Sequence, residues 1–258
     1  MSEHHVVTEM PQPGVRLIRL NRPERRNALS TAVLAAVAAA LTAADQDGDI
    51  RCLVLTGGPE VFAAGADIDE LAEKDARGGL DDARVRHWTA IRGIRKPIVA
   101  AVNGWCLGAG NELLMCCDLA VAGRDARFGQ PELNLGIIPG AGGTSLLPRL
   151  IGRARAMRLV LLGDALDAEE AKAAGLITDV VEPDEVLPAA LALARRLADR
   201  APLAIAEAKL SINAALETPL TLHHVLERQA FSITLGSADK REGVAAFREK
   251  RAAQWQGR

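Results

Sequence analysis

Two glutamates twenty residues apart are the side chains best placed for proton chemistry. Glu112 lies in Gly108-Ala-Gly-Asn-Glu-Leu-Leu-Met-Cys-Cys117, where a glycine pair passes into an apolar, helical-looking stretch. Glu132 lies in Phe128-Gly-Gln-Pro-Glu-Leu133, an apolar patch before another glycine loop. Carboxyl groups in dry surroundings hold their protons more tightly and can serve as general acids or bases. A buried glutamate that caps a helix or pairs with an arginine would show the same residue pattern, so both readings stand at this point. Eleven glycines cluster near these residues: Gly57, Gly58 and Gly65; Gly104, Gly108 and Gly110; Gly129, Gly136, Gly140, Gly142 and Gly143. Glycine lets a backbone approach a ligand closely and point its N–H groups at it.

Other chemistries fit poorly. Gly108-Ala-Gly110 lacks the third glycine of a dinucleotide loop, and Gly140-Ala-Gly-Gly-Thr144 lacks the lysine of a phosphate loop. His4 and His5 fall on a terminus expected to fray, His87 stands alone, and His223 and His224 face different sides of a helix. None has metal-ligand spacing, and no GxSxG elbow supports a serine triad. Cys52, Cys106, Cys116 and Cys117 lack CxxC spacing and sit among apolar residues, so buried reduced thiols are expected.

The elements that must position these groups alternate. Val15–Leu20, Arg51–Thr56, Pro97–Val102 and Asp118–Ala122 read as strands, and a short strand is expected near Leu176–Val181. Ser30 is a suitable N-cap for an alanine-rich helix from Thr31 to about Ala44, and 82–95 reads as a second helix ended by Pro97. Strands separated by helices suggest an α/β layered domain. From Gly140 onward the pattern is helical apart from that one strand, with helices at 153–162, 184–200, 202–216, 221–235 and 239–251. The last three carry apolar stripes that need a partner, either the α/β part or a neighbouring subunit.

Composition narrows the class. The chain has 258 residues, 49% apolar and 25% charged, with net charge −2. That is ordinary globular composition, long enough for a sizeable core. The charge balance gives no general reason to bind nucleic acid or anionic lipid. Tyrosine is absent, which excludes tyrosine-based acid/base chemistry. No leader pattern follows Met1 and no run approaches a membrane span, so a cytoplasmic protein without membrane partners is expected.

At these residues the chain closely resembles the enoyl-CoA hydratase/isomerase (crotonase) superfamily. The matching stretches run in order: Leu20-Asn-Arg-Pro-Glu-Arg-Arg-Asn-Ala-Leu29, Phe62-Ala-Ala-Gly-Ala-Asp-Ile68, Pro97-Ile-Val-Ala-Ala-Val-Asn-Gly104, Gly108–Leu113, Phe128–Glu132, Leu135–Thr144 and Arg241–Lys250. The resemblance implies an α/β crotonase fold of repeated ββα units with two roughly perpendicular sheets. It divides the chain into a core over 1–195 with the active site and a C-terminal helical region over 196–258. The resemblance implies that this region builds a homotrimer or homohexamer and completes the coenzyme A site. The substrate implied is an acyl-CoA thioester, with no separate cofactor and no metal.

Carried onto this chain residue by residue, the resemblance assigns the enolate-stabilising backbone amides to Ala66 and Ala109. Relatives often have glycine at the second position; alanine keeps the N–H, though its Cβ narrows the pocket. Glu112 and Glu132 match the two glutamates of hydratases, whereas one-base isomerases keep the second alone. Arg25, Ala28, Ala64, Asp67 and Ile68 are implied for coenzyme A binding. Lys250 or Arg251 is implied for its 3′-phosphate, and Trp105, Leu107, Pro131 and Leu135 for the acyl pocket. A solvated C-terminal charge run and simple core packing are the alternatives for these last two groups. Residues 239–258 carry six Lys/Arg against three Asp/Glu, which suits a small polyanion. Within the family, the Gly-Ala-Gly before Glu112, Ala72-Glu-Lys-Asp75 and the Gln256-Gly-Arg258 ending resemble hydratases acting on a dicarboxylic acyl chain. Fatty enoyl chains stay equally open. Some relatives bind AU-rich RNA, but no basic, aromatic-interleaved stretch is present here.

Overall fold

The computed structural model describes residues 5–258. A hairpin of β1 (Val6–Gln12) and β2 (Val15–Leu20) leads into α1 (Thr31–Gln46). The Ser30 hydroxyl accepts the Val33 N–H at 3.2 Å, so the expected N-cap is in place. Then follow β3 (Cys52–Thr56), β4 (Val61–Ala63), α2 (Ile68–Ala72), α3 (Ala76–Leu80), α4 (Arg84–Arg92) and β5 (Ile98–Val102). Next come β6 (Trp105–Leu107), α5 (Ala109–Leu114), β7 (Leu119–Gly123) and β8 (Arg127–Gly129). The rest comprises α6 (Leu147–Ile151), α7 (Arg153–Leu162), β9 (Ala165–Asp167), α8 (Ala168–Ala174), β10 (Asp179–Val181), α9 (Val186–Ala198), α10 (Pro202–Ala215), α11 (Leu220–Gly236) and α12 (Ala238–Glu249).

One sheet has the order β1-β2-β3-β5-β7-β10, parallel beyond the β1-β2 hairpin, with Leu53 opposite Ile98 and Val99 opposite Leu119. Its inner strands are buried on both faces, which is why they read as continuous apolar runs. Leu53 and Leu55 enter the main core with α1, while Cys52 and Val54 face the other way, under Val186, Ala190 and Ala194 of α9. The second sheet that the resemblance implied is β4-β6-β8-β9, none of whose strands was read from the residues themselves. Each of its strands has three residues, too short for any alternation to show. β9 therefore corrects the expectation of an almost wholly helical second half. β1 was missed too: its Thr8-Glu-Met-Pro11 stretch is polar and tolerates proline because the strand is an edge. The helix expected over 82–95 is shorter, with Asp82 accepting the Arg84 N–H and Gly93 closing the end. His5 is tied down, its carbonyl accepting the Asn21 N–H at 2.9 Å; His4 lies outside the described residues. Among the described residues no helix is long and apolar enough to cross a membrane.

The crotonase architecture is visible as a repeated unit. A long strand of the large sheet turns sharply into a short strand of the small one, and the chain then leaves as a loop or helix. β3-β4 exits at Ala64–Asp67, β5-β6 at Gly108–Ala109, and β7-β8 at Gln130–Glu132. The short strands β4, β6 and β8 are neighbours, so their exits lie side by side. The turns between sheets are tight. At Gly104, with φ +59°, a Cβ would lie 1.9 Å from the Glu60 carbonyl oxygen.

Candidate active site

Glu112 sits on α5, 2% exposed. Its Oε1 accepts the N–H groups of Ala141 at 2.7 Å and Gly143 at 2.9 Å. Amides two residues apart can converge on one oxygen because Gly142 adopts φ +130°, a conformation L side chains rarely take. Burial raises the Glu112 pKa; the two amides, and the charges of Arg92 and Arg84, oppose the rise. The carboxylate is thus anchored by one oxygen in a largely dry place.

Glu132 opens a short 3-10 turn, Glu132–Leu135, immediately after Pro131. Its Oε2 is buried without a hydrogen-bond partner, and its Oε1 faces Gly108. Burial, reinforced by the charge of Glu112, pushes its pKa up to about 7. At neutral pH a large fraction of this group carries a proton.

The two amides come from the neighbouring exits. Leu29 donates to the Gly65 carbonyl at 2.8 Å and accepts from Asp67 at 3.3 Å, bracketing Ala66 in a parallel bridge. In such a bridge the N–H of the bracketed residue points away from its partner strand. Ala109 is the first residue of α5, and its N–H lies outside the helical ladder. Gly65 and Gly108 pack closely: a Cβ on Gly108 would lie 3.6 Å from the Gly65 Cα. The peptides that carry both amides therefore share one wall.

Beside this wall runs a cleft of about 250 Å³. Arg25, Ala28, Ala64, Ala66, Asp67, Ile68, Pro131, Glu132 and Leu135 all line it, so most of the sequence-derived candidates meet in one place. Asp67 enters as a scaffold. Its carboxylate pairs with Arg22 at 2.5 Å and caps α2, its N–H serves Leu29, and its carbonyl serves Leu71. Burial opposes ionisation of Asp67, but Arg22 and the capping amides hold its carboxyl below the usual range. Arg25 spans to Asp69 at 2.9 Å, both residues lining the cleft.

Glu112 and Ala109 are not among the residues lining this cleft, and three further candidates differ from expectation. Trp105 is 48% exposed at the far end of β6 and does not line the cleft. Leu107 does not line the cleft either; its Cδ2 lies 3.3 Å from where a Cβ of Gly129 would stand. On a three-residue strand, sequence could not tell which side chains point to the cleft. Lys250 ends α12 with φ 55° and does not reach the cleft within its own chain, while Arg251 is held by Glu242 and Glu249. All four cysteines are free, and burial pushes the Cys52 thiol up to about 12 and the Cys116 thiol to about 11.

Several supports were missed. Asn27, at φ 54°, is buried and donates to the carbonyls of Gly57, Val61 and Phe62, fixing the wall from behind. The Ala141 and Gly143 amides gave no signal beyond the glycines around them. Asn27 stood inside a recognised motif, where a polar residue suited to positive φ was a usable clue.

Successive ββα units whose exits bring two amide-bearing peptides together beside two unlike carboxyl groups match what the crotonase resemblance implies. The family profile described as enoyl-CoA hydratase/isomerase matches residues 11–258. The chain belongs to this family. It is 44% identical to 2,3-dehydroadipyl-CoA hydratase of Escherichia coli K12, over 96% of this chain and 97% of that one. It is 41% identical to the mitochondrial enoyl-CoA hydratase of Pongo abelii, over 93% and 83% of the two chains. The crystal structure of an enoyl-CoA hydratase from Bacillus anthracis superposes with a TM-score of 0.93 at 35% identity, covering 98% of this chain and all of that one.

Proposed function

We propose that this chain is an enoyl-CoA hydratase, adding water reversibly and syn across a trans-2-enoyl-CoA to give a 3-hydroxyacyl-CoA. The observation that carries this reading is the unlike pair of carboxyl groups. Glu112 is anchored by two amides with cations nearby, which favours a base, while Glu132 has a pKa near 7 and an unpartnered oxygen, which favours an acid.

The thioester oxygen receives the N–H groups of Ala66 and Ala109. Each such donor is worth about 3 kcal/mol of transition-state stabilisation. Glu112 takes a proton from water as its oxygen bonds to C3, and the C2=C3 electrons move into the enolate. As the enolate collapses, Glu132 gives its proton to C2. The cycle closes when the proton on Glu112 returns to Glu132 through solvent. Arg25, Ala28, Ala64 and Ile68 flank the thioester and coenzyme A arm. Both fatty and dicarboxylic acyl chains suit this chemistry; the likeness to a 2,3-dehydroadipyl-CoA hydratase favours testing the latter first.

Replacing Glu112→Gln or Glu132→Gln is expected to lower hydration of crotonyl-CoA by about 10²–10⁴-fold, followed by loss of enoyl absorbance, with coenzyme A binding retained. Near-normal turnover in either variant refutes the assignment. A Δ3,Δ2-enoyl-CoA isomerase is the second reading, favoured by Glu132 alone lining the cleft. It predicts that Glu112→Gln stays active on a 3-enoyl-CoA. The unpartnered apolar side chains of α10–α12, such as Ile212, Leu220 and Phe247, support a homotrimer or homohexamer, to be measured by light scattering.

A further inference from the structure

We propose that Arg92 is a positioning residue for this hydration: its guanidinium clamps the loop whose amides hold Glu112. The inference rests on the hydratase reading of the site. Arg92 is the last residue of α4, and its Nη2 donates to the Ala141 carbonyl. The loop around Ala141 is otherwise thin. Gly140 and Gly142 flank it, and neither would supply a side chain to brace it.

The clamp acts on the geometry that matters. The Ala141 N–H points inward to Glu112 Oε1, and the N–H of Gly143 returns to the same oxygen. That convergence requires the Ala141 carbonyl to face outward, where Arg92 meets it. Fixing this carbonyl fixes the peptide between the two donors. Arg92 is itself braced, its guanidinium 5.7 Å over the ring of Trp88, one turn earlier on α4 and 6% exposed. Core packing is thereby passed through Trp88 and Arg92 to a glycine-rich loop on which the Ala141 methyl is the one other group between Gly140 and Gly143 that packs on the core.

Charge works in the same direction. Arg92 lies near enough to Glu112 to favour its ionised form, as does Arg84 from the start of α4. On the cleft side the Glu112 charge acts in turn on Glu132, whose pKa it helps to raise. Cys116, on the turn after α5, touches Arg92 but is neutral, its thiol pushed up to about 11; Lys209 of α10 adds a weaker positive field there. Removing the Arg92 charge therefore raises the pH at which Glu112 becomes a base.

The test compares the full-length protein with Arg92→Met and Arg92→Lys on crotonyl-CoA between about pH 5 and pH 9. Arg92→Met is expected to lower kcat about tenfold through misplacement of the base, with KM within about twofold. The acid limb of its pH profile is expected to move up by about half a unit. Arg92→Lys restores the limb but only part of kcat, because it keeps charge and loses the planar stack on Trp88. If Arg92→Met is poorly folded by circular dichroism, the partial recovery in Arg92→Lys decides. An unchanged kcat, or an equal loss at every pH, overturns the proposal. Titration of the Glu112 carboxyl by ¹³C NMR, without substrate, separates the two levels. If the unaltered chain hydrates no enoyl-CoA, the hydratase reading fails. An unshifted Glu112 titration in Arg92→Met overturns the clamp whatever the reaction.

Discussion

Gly108→Ala isolates the coupling between the amide wall and the acid. Gly108 has φ 52° and ψ −125°, a conformation in which an L-residue is strained by about 1–3 kcal/mol. A Cβ there would stand 2.8 Å from Glu132 Oε1 and 3.4 Å from its Cδ. Because the contact is with the end of a side chain, the carboxyl can yield, by roughly half an ångström to reach ordinary contact distance. Misplacement by about 1 Å can cost 10²-fold, so a displacement half as large is expected to lower kcat about tenfold. The assay is hydration of crotonyl-CoA, run with urea unfolding to record the strain separately. The decisive comparison is a double-mutant cycle. On the Glu132→Gln background, where little acid catalysis remains to lose, Gly108→Ala should reduce kcat by less than about threefold. If the full tenfold loss persists there, the glycine acts through the Ala109 amide and the reasoning is wrong.

The pKa near 7 of Glu132 makes hydration depend on its protonated form, so kcat/KM should fall as pH rises through about 7, and Glu132→Gln should abolish that limb. The same shift bears on stability. A carboxyl whose folded pKa is raised favours the native state below its unfolded pKa, and the advantage is lost as pH rises through the folded value. At pH 8 Glu132→Gln should therefore be more stable than the parent by about 1 kcal/mol, the figure discounted for partial exposure, whereas near pH 4 the gain should vanish in urea unfolding. Asp67 has the opposite sign. Its lowered pKa stabilises the fold above the unfolded value and the contribution fades as pH falls through the folded one. Asp67→Asn at pH 7 should lower stability by about 1–3 kcal/mol in the same measurement, chiefly by leaving Arg22 without its carboxylate.

How much of this was legible in the sequence follows from element length. β3, β5 and β7 each bury five consecutive residues or nearly so, and α1 places six apolar side chains on one face. Signals of that length survive reading by pattern. β4, β6 and β8 have three residues each, and what makes them strands is their pairing with one another, which has no local trace. The strands of the small sheet left no pattern of their own for that reason, and the resemblance alone implied the sheet; the side of β6 from which Trp105 and Leu107 project left no trace either. The site itself came through better, because glycines and carboxylates in ordered motifs carry their own signature. Support was harder to see. Arg92 is one of many arginines in the sequence, and only its place beside the Ala141 carbonyl distinguishes it.

In the proposed mechanism the thioester oxygen is held by main-chain N–H groups, those of Ala66 and Ala109. Side-chain replacement leaves such groups in place; proline alone among the twenty residues deletes one. On that mechanism, mutation can erase the acid or the base in a single step while hardly touching the oxyanion donors. A lineage built on this frame would keep its hold on thioester carbonyls as its carboxyl groups drift, and new reactions would arise by rearranging acids around a hole that inheritance protects.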